Sequence, residues 1–197
     1  MEHFYQTYHY SNKIRLGANC DGGYVIADLP GEYDCYLSCG VDCDESFTRD
    51  FLSKISVPHL SAFAFDGTIT TYPHHYSEDI FFIKKNISPQ NSETGTNLNT
   101  ILRRYTNIFL KMDIEGGEWK WINSEIQLDN IKQLVIEFHG TCDDKWGSSR
   151  SSKNSALQKI LKTHTLIHSH ANNFGPTYKK NAQCLEATKE QVIGFIK

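Results

Sequence analysis

The chain has 197 residues and a formal net charge of −3, with 39% hydrophobic and 22% charged residues. These values are ordinary for a globular protein of one domain, and no cluster of lysine or arginine indicates a nucleic-acid-binding surface. No apolar run approaches the roughly 20 residues that cross a bilayer, so we expect no membrane-spanning segment.

The six cysteines give little support to a disulfide framework. The chain is long enough to bury a core without cross-links, and its first residues do not resemble a secretory signal, so we expect free thiols in the cytoplasm. Three of them recur at short intervals, yet no second pair at zinc-finger spacing accompanies them. The cysteines are Cys20, Cys35, Cys39, Cys43, Cys142 and Cys184.

Apolar segments of two kinds alternate along the chain. Short apolar runs predict strands, and apolar residues at helical spacing predict helices. In chain order, the sequence predicts strands at 24–27 and 34–38, a helix at 47–55, strands at 59–65 and 80–83, a helix at 98–105, a strand at 107–112, a helix at 119–126, a strand at 131–138, a helix at 156–161, a strand at 165–168 and a last strand within 184–196. The serine- and lysine-rich stretch 148–153 is expected to form a loop or the approach to a helix.

This alternation favours an α/β fold, Rossmann-like, with a mostly parallel sheet and helices on both faces. We divide the chain into an N-terminal extension, 1–30, and a main domain, 31–197. Parallel sheets of this kind bind their ligands beyond the carboxyl ends of the strands. The polar and glycine residues that follow each predicted strand are therefore the candidates for function.

The first two strand ends suggest a nucleotide-like ligand. Gly40, in Cys39-Gly40-Val41-Asp42, lets the backbone approach a ligand closely, although a plain tight turn is an alternative. The segment lacks the glycine triplet of a nicotinamide dinucleotide site. Asp66, in Asp66-Gly67-Thr68, can accept hydrogen bonds from ribose hydroxyls, and a solvent-facing aspartate before a turn is the alternative.

The strand at 107–112 ends in Asp113-Ile114-Glu115-Gly116-Gly117-Glu118. Three carboxylates this close repel one another unless a positive group is present, such as a sulfonium, a divalent metal or Lys111. We interpret Glu118 as a charge at a helix N-terminus that offsets the macrodipole. We assign Asp113 to the reaction centre and Glu115 to the substrate pocket.

Two later segments supply polar side chains. Glu137 and His139 face the same side of a strand, so they could remove a proton together or form part of a metal site with Asp113. A structural histidine is the alternative. The segment 168–173 predicts a polar pocket wall, with a polar turn as the alternative. Its candidate substrate-binding residues are His168, His170, Asn172 and Asn173.

Four of these motifs together resemble the FkbM-like methyltransferases, in the branch with an N-terminal Asp-Gly-Gly-Tyr-Val element. The motifs are Asp21-Gly22-Gly23-Tyr24-Val25, Ser38-Cys39-Gly40, Phe65-Asp66-Gly67-Thr68 and the block from Lys111 to Glu118, and the likeness covers roughly residues 13–175. The resemblance implies a seven-stranded class I methyltransferase fold, with S-adenosylmethionine as the methyl donor. It implies that the methionine part of the cofactor lies at Gly40 and its neighbours, that Asp66 holds the ribose, and that residues 1–30 pack on the cofactor site.

We accordingly expect an O-methyltransferase acting on a hydroxyl of a sugar, a sugar nucleotide or another small metabolite. The alternatives are a nicotinamide-dependent oxidoreductase and a non-catalytic binding module, and the oligomeric state stays open. Asp113, Glu137 and His139 are the predicted catalytic residues and the predicted ligands of Mg²⁺ or Mn²⁺, if a metal takes part. The predicted cofactor contacts are Asp21, Gly22, Gly23, Tyr24, Ser38, Gly40, Asp42, Ser46, Asp66, Gly67, Thr68 and Asp113.

Overall fold

The structure is a computed structural model, and it describes residues 6–19, 21–55, 58–73, 79–141, 148–172, 177–179, 186–188 and 190–197. The helices in these ranges are α1 (Ser46–Lys54), α2 (Asn99–Arg104), α3 (Glu118–Ile122) and α4 (Arg150–Leu161). The strands are β1 (Lys13–Leu16), β2 (Tyr24–Ala27), β3 (Cys35–Cys39), β4 (Ser61–Phe65), β5 (Phe81–Ile83), β6 (Asn86–Ile87), β7 (Gly95–Thr96), β8 (Ile108–Met112), β9 (Ile131–His139), β10 (Thr165–Ala171), β11 (Thr177–Lys179), β12 (Glu186–Thr188) and β13 (Glu190–Ile196).

The central sheet is seven-stranded within the described residues, in the order β10-β13-β9-β8-β3-β4-β5. The strands from β9 to β5 pair in parallel, whereas β13 pairs antiparallel with both β9 and β10. The predicted mostly parallel sheet is confirmed. From β3 the chain first builds outward through β4 and β5, then returns to β8 on the other side of β3. The switch point between β3 and β8 is where open α/β sheets bind ligands.

Both faces of the sheet are covered. Leu37 and its alternate neighbours in β3 face a core formed with α2, α3 and α4, which includes the fully buried Trp119. Tyr36 faces the opposite core, where Phe51 of α1 stacks on it with ring centroids 4.7 Å apart. The period-two alternation of strand side chains explains this division, and it confirms the expectation of helices on both faces.

An antiparallel hairpin of β1 and β2 covers part of the second face. The Lys13 ammonium donates to the backbone oxygen of Ile167 over 2.7 Å, which attaches β1 to β10. Gly22 lies in the turn of the hairpin with φ +84°, and a Cβ there would lie 2.6 Å from a carboxylate oxygen of Asp44. A glycine is therefore required at this position of the Asp-Gly-Gly-Tyr motif. The sequence did not predict β1, and the division of the chain at residue 30 stays a prediction.

Two helices differ from their predictions by more than one residue at an end. α3 ends at Ile122 rather than at residue 126, because the following amides bond to nearer carbonyls than in a helix: Ser124 donates to Trp121 and Ile126 to Ser124. α4 begins at Arg150, inside the stretch expected to be a loop or a helix approach, because the Ser149 hydroxyl accepts from the Ser152 amide and caps the first turn.

The three described cysteines are free thiols: Cys35 and Cys39 are buried, and Cys43 is exposed. Burial raises the pKa of the Cys39 thiol far above its ordinary value. Cys20, Cys142 and Cys184 lie outside the described residues. Across the described ranges, no helix combines the length and apolar character that a membrane crossing requires.

Candidate functional site

A cavity of about 520 Å³ opens at the switch point, at the carboxyl ends of β3, β4 and β8. Its lining carries many carboxylates and a single ammonium group, that of Lys111, among the described residues. The lining residues are Asp21, Gly22, Tyr24, Gly40, Val41, Asp42, Cys43, Asp44, Phe65, Asp66, Thr68, Asn86, Ile87, Lys111, Asp113, Ile114 and Glu115.

The backbones of β3 and β8 meet at the floor of this cavity. Gly40 has φ +84°, and a Cβ at this residue would lie 1.5 Å from the backbone oxygen of Asp113. No other residue type fits there without moving the Asp113 backbone. The Asp113 amide also donates to the backbone oxygen of Cys39 over 2.8 Å, so the two strand ends are held together.

Asp66 fixes the loop that follows β3. One carboxylate oxygen accepts from the amides of Val41 and Asp42 at 3.0 and 3.1 Å. The other accepts from the amide and the hydroxyl of Thr68 at 2.7 and 2.6 Å. Burial would raise the pKa of Asp66, but these hydrogen bonds lower it below its ordinary value. A carboxylate has about four acceptor positions, so a ribose would have to replace a bond that Asp66 already makes.

A buried ion pair lies behind the same loop. The Lys111 ammonium is 3.6 Å from a carboxylate oxygen of Glu45 and also donates to the backbone oxygen of Gly40. The same oxygen of Glu45 accepts from the Ser38 hydroxyl over 2.9 Å. Buried charges of this kind persist only when they are paired and hydrogen-bonded. The pair therefore stabilises the backbone of the glycine loop from below.

Tyr24 connects two carboxylates on the opposite wall. Its hydroxyl donates to Asp113 Oδ2 over 3.1 Å and lies 3.5 Å from Glu137 Oε2. The Asn172 amide donates to Glu137 Oε1 over 2.6 Å. Burial, reinforced by the charge of Asp113, raises the pKa of Glu137 to about 7. Burial and Asp113 also raise the pKa of Tyr24 well above its ordinary value, so its hydroxyl remains a donor.

His139 is buried at the end of β9, with carboxylates near both ring nitrogens. Its Nδ1 is 3.1 Å from Glu118 Oε1, and its Nε2 is 3.4 Å from Glu115 Oε2 and 3.9 Å from Asp113 Oδ1. Burial lowers the pKa of His139, but the hydrogen bond and charge of Glu118, with Asp113 and Glu115, raise it to about 9. The ring therefore links the loop after β8 to the end of β9.

Asp113, Glu137 and His139 converge as the sequence predicted. Each offers one ligand atom, and these atoms lie within 4.8 Å of one another. Asp113 Oδ1 is buried without a hydrogen-bond partner among the described residues, which leaves an oxygen ready for a cation or a donor. Carboxylate oxygens with one imidazole suit Mg²⁺ or Mn²⁺, so the three side chains fit such an ion.

Some predicted cofactor residues lie behind the cavity wall instead of lining it. Ser38 is fully buried and bonded to Glu45, and the Ser46 hydroxyl accepts from the Ala18 amide over 2.9 Å. Gly23 and Gly67 are also absent from the lining, whereas the other predicted contacts line it. Gly67 lies against the side chain of Asn86. These four residues support the loops around the cavity, and their contact with a cofactor stays a prediction.

The predicted pocket wall at 168–173 is divided in the structure. Asn172 joins the site through Glu137. His168 and His170 bond to each other, with Nε2 and Nδ1 3.0 Å apart, and do not line the cavity. Burial, with the charges of His170, Lys13 and Arg15, lowers the pKa of His168 to about 4. The two histidines thus pack beneath β1, away from the cavity, and Asn173 lies outside the described residues.

Glu118 differs from its interpretation as a simple helix-start charge. It does begin α3, but its side chain is fully buried and bonded to His139. Asn86 was missed altogether: it lines the cavity, and its side-chain oxygen accepts from the Gly67 amide over 3.1 Å. It follows β5 at the same edge of the sheet, so the strand-end rule that selected Asp66 would also have selected it.

No protein-family model matches the chain, and no curated protein matches its sequence. The features that bear on function are therefore those of the site itself: its place at the switch point, its charge and the groups that converge there.

Proposed function

We propose that the protein is an S-adenosylmethionine-dependent methyltransferase of the FkbM-like kind, acting on a hydroxyl group. The charge of the cavity carries the proposal. Its carboxylates are Asp21, Asp42, Asp44, Asp66, Asp113 and Glu115, against the single ammonium of Lys111. S-adenosylmethionine carries a sulfonium and an ammonium group against one carboxylate, so a negative cavity complements its net positive charge.

The same charge argues against the nicotinamide alternative. A dinucleotide brings an anionic pyrophosphate, which needs backbone amides at a glycine-rich helix start or cationic side chains. No arginine is among the described lining residues, and the one lysine is paired with Glu45. The loop after Gly40 also contains Asp42 and Asp44, whose charges oppose a phosphate group.

The sheet adds a second line of support. Numbered in chain order, its strands follow the dinucleotide-binding arrangement 3-2-1-4-5-6, except that the last strand, β13, is inserted antiparallel between β9 and β10. A mostly parallel sheet of seven strands is what the class I methyltransferase fold implied by the resemblance requires, and it supports the proposal.

S-adenosylmethionine, held at the loops of Gly40 and Asp66, would supply the methyl group: its sulfur–carbon bond would break as the acceptor's oxygen–carbon bond forms, and S-adenosylhomocysteine would leave. His139 Nε2, the nitrogen that faces Asp113 and Glu115, would accept the hydroxyl proton. The positive charge of the sulfonium would lower the pKa of His139, which favours the neutral imidazole. Holding the two reactants in line supplies much of the rate, and the base supplies the rest.

The proposed acceptor site lies beside Tyr24 and Asp113, which line the cavity and whose oxygens can hydrogen-bond a polyhydroxyl compound, while the buried Glu137 and Asn172 bond to each other next to the Tyr24 hydroxyl. We therefore propose a sugar, a sugar nucleotide or another small hydroxylated metabolite as the acceptor. A divalent ion held by Asp113, Glu137 and His139 would lower the pKa of the acceptor hydroxyl. Exhaustive EDTA treatment tests this version: full activity afterwards contradicts it.

Calorimetric titration with S-adenosylhomocysteine and with NADH tests the cofactor. We expect S-adenosylhomocysteine to bind and NADH not to bind, and the reverse result contradicts the proposal. The Asp66→Ala variant should bind S-adenosylhomocysteine more weakly, and an unchanged affinity would contradict the ribose assignment.

A second experiment follows transfer of labelled methyl groups from S-adenosylmethionine to a panel of sugars and sugar nucleotides. The binding-module alternative predicts no transfer to any acceptor, and it predicts that Asp113→Ala and His139→Ala are tolerated in the assay that reports its function.

A further inference from the structure

We propose that Glu118 is a positioning residue that fixes the orientation and the tautomer of His139. The inference rests on the proposed function, because it assigns a role within the same site. Glu118 opens α3, and its side chain has no solvent exposure. Its Oε1 lies 3.1 Å from His139 Nδ1, which is hydrogen-bonding distance.

The contact determines which nitrogen faces the acceptor. A carboxylate only accepts hydrogen bonds, so Nδ1 must carry the proton, whether the ring is neutral or charged. In the neutral ring the lone pair is then on Nε2. That nitrogen faces Glu115 and Asp113, two residues that line the cavity. The orientation is therefore the one that a proton acceptor or a metal ligand needs.

Glu118 also fixes the loop that carries Asp113. Besides His139, its Oε1 accepts from the backbone amides of Ile114 and Gly116, each over 3.1 Å. The loop can turn back on itself because Glu115 and Gly116 have φ values of +57° and +95°. One carboxylate oxygen thus connects the loop after β8 to the imidazole on β9.

The neighbouring residue holds the other side of His139. The Trp119 indole donates to the backbone oxygen of His139 over 2.7 Å. The start of α3 therefore contacts both the backbone and the ring of His139. Two such contacts leave the imidazole little freedom to rotate, and a preorganised base avoids reorientation during the reaction.

A helix-start charge alone does not require this arrangement. The helix has five residues, and the amides that Glu118 accepts from belong to the loop before it. The macrodipole acts on a carboxylate that is exposed as well as on one that is buried. Complete burial of the carboxylate against an imidazole instead indicates a specific partner.

Glu118→Met is the test variant, because it keeps a side chain of similar length and removes the acceptor of the His139 Nδ1 proton. Glu118→Gln is the conservative rescue: Oε2 has no hydrogen-bond partner among the described residues, so an amide nitrogen can take its place while Oε1 still accepts from His139 Nδ1 and from the loop amides. Glu125→Gln, an exposed change beyond the end of α3, is the matched control. The first measurement is the nitrogen-15 NMR signal of the His139 ring without any ligand, assigned by its loss in His139→Gln.

In the wild type, in Glu118→Gln and in Glu125→Gln we expect a proton on Nδ1 that is protected from exchange with water. In Glu118→Met we expect faster exchange of this proton and a mixture of both tautomers in the neutral ring. An unchanged ring signal in Glu118→Met, or a mixture of tautomers in Glu118→Gln, would overturn the proposal. This measurement needs no turnover, so it remains decisive even if no acceptor is ever methylated and the proposed function fails.

The second measurement is methyl transfer. We expect Glu118→Met to lower kcat by about 10- to 100-fold, the usual effect of removing a partner that orients a histidine, and Glu118→Gln to keep kcat near the wild-type value. The KM for S-adenosylmethionine and the affinity for S-adenosylhomocysteine should stay at the wild-type values. A loss of affinity with kcat unchanged would overturn the positioning role and indicate a structural contact with the cofactor loop.

Discussion

The carboxylates on the two walls of the cavity differ in their hydrogen bonding and in the direction of their pKa shifts. On the wall of β3 and β4, Asp66 accepts four hydrogen bonds from the protein, and its pKa lies below the ordinary value. On the wall of β8 and β9, burial and Asp113 raise the pKa of Glu137 to about 7, and Asp113 Oδ1 has no described partner. The hydrogen bonds of Asp66 on the first wall stabilise the fold. On the second wall, the repulsion between carboxylates and the unpartnered oxygen of Asp113 can be relieved by a bound ligand.

Replacing the imidazole should give the largest effect on activity. His139→Gln should lower kcat by about 10²- to 10⁴-fold, because a positioned base contributes that much to a proton transfer. Since His139 lies on the wall of β8 and β9, the affinity for S-adenosylhomocysteine should remain within a few-fold of the wild type. Single-turnover methyl transfer measures the loss of rate, and calorimetry measures the affinity for S-adenosylhomocysteine. Equal losses in both would contradict a functional difference between the two walls.

Asp66→Asn should destabilise the protein by about 2 kcal/mol, because an amide leaves at least one buried donor without its acceptor. The lowered pKa of Asp66 determines how this destabilisation changes with pH. Because the pKa of Asp66 is lowered on folding, the ionised group stabilises the fold above its unfolded pKa, and this stability is lost as the pH falls through the folded pKa. The difference between Asp66→Asn and the wild type, measured by urea unfolding, should therefore shrink in acid. A constant difference at every pH contradicts this account.

Glu137→Gln should change the free energy of unfolding in the opposite direction. Since the pKa of Glu137 is raised to about 7, the protonated form favours the fold at low pH, and stability is lost as the pH rises through 7. Each pKa unit corresponds to about 1.4 kcal/mol, and a buried amide keeps part of the desolvation cost. We expect a stabilisation of about 1 to 2 kcal/mol at pH 8 and none at pH 4, measured by urea unfolding of the ligand-free protein. If Glu137→Gln instead destabilises the protein at pH 8, the ionised Glu137 stabilises the fold as Asp66 does, and the contrast between the two walls is wrong.

The smallest expected effect is on the alkylation rate of Cys43, which lies on the first wall. It is exposed and lines the cavity, whereas Cys35 and Cys39 are buried. Alkylation followed by mass spectrometry should modify Cys43 in the folded protein and leave the other two unmodified. Saturating S-adenosylhomocysteine should slow the reaction of Cys43 several-fold. Equal rates with and without this ligand would place the cofactor away from the glycine loop.

The sequence predicted the elements that depend on local pattern. The apolar runs at 24–27 and 107–112 correspond to β2 and β8 within one residue. The local pattern did not locate the start of α4, because the capping bond of Ser149 begins the helix inside the stretch that was predicted to be a loop or the approach to a helix. β6 and β7 are two residues each, too short to have a hydrophobic period.

The site was predicted as a set of strand ends, not as a set of contacts. The convergence of Asp113, Glu137 and His139 followed from the rule that parallel strands end at one edge. The partners of Asp66 and Glu118 did not follow, because both carboxylates bind groups in distant or reversed segments of the loops. Whether a carboxylate is satisfied or left exposed to a ligand depends on these long-range contacts.

The position of β13 determines the order in which strands can pair in the central sheet. β13 is synthesised after β9 and β10, yet it lies between them, and β10 has no pairing with β9 of its own. While a chain emerges from the ribosome, β3, β4 and β8 can already pair, but β10 cannot join the central sheet until residues 190–196 arrive. The hydrogen bond from Asn172, just after β10, to Glu137 should therefore form after the glycine loop.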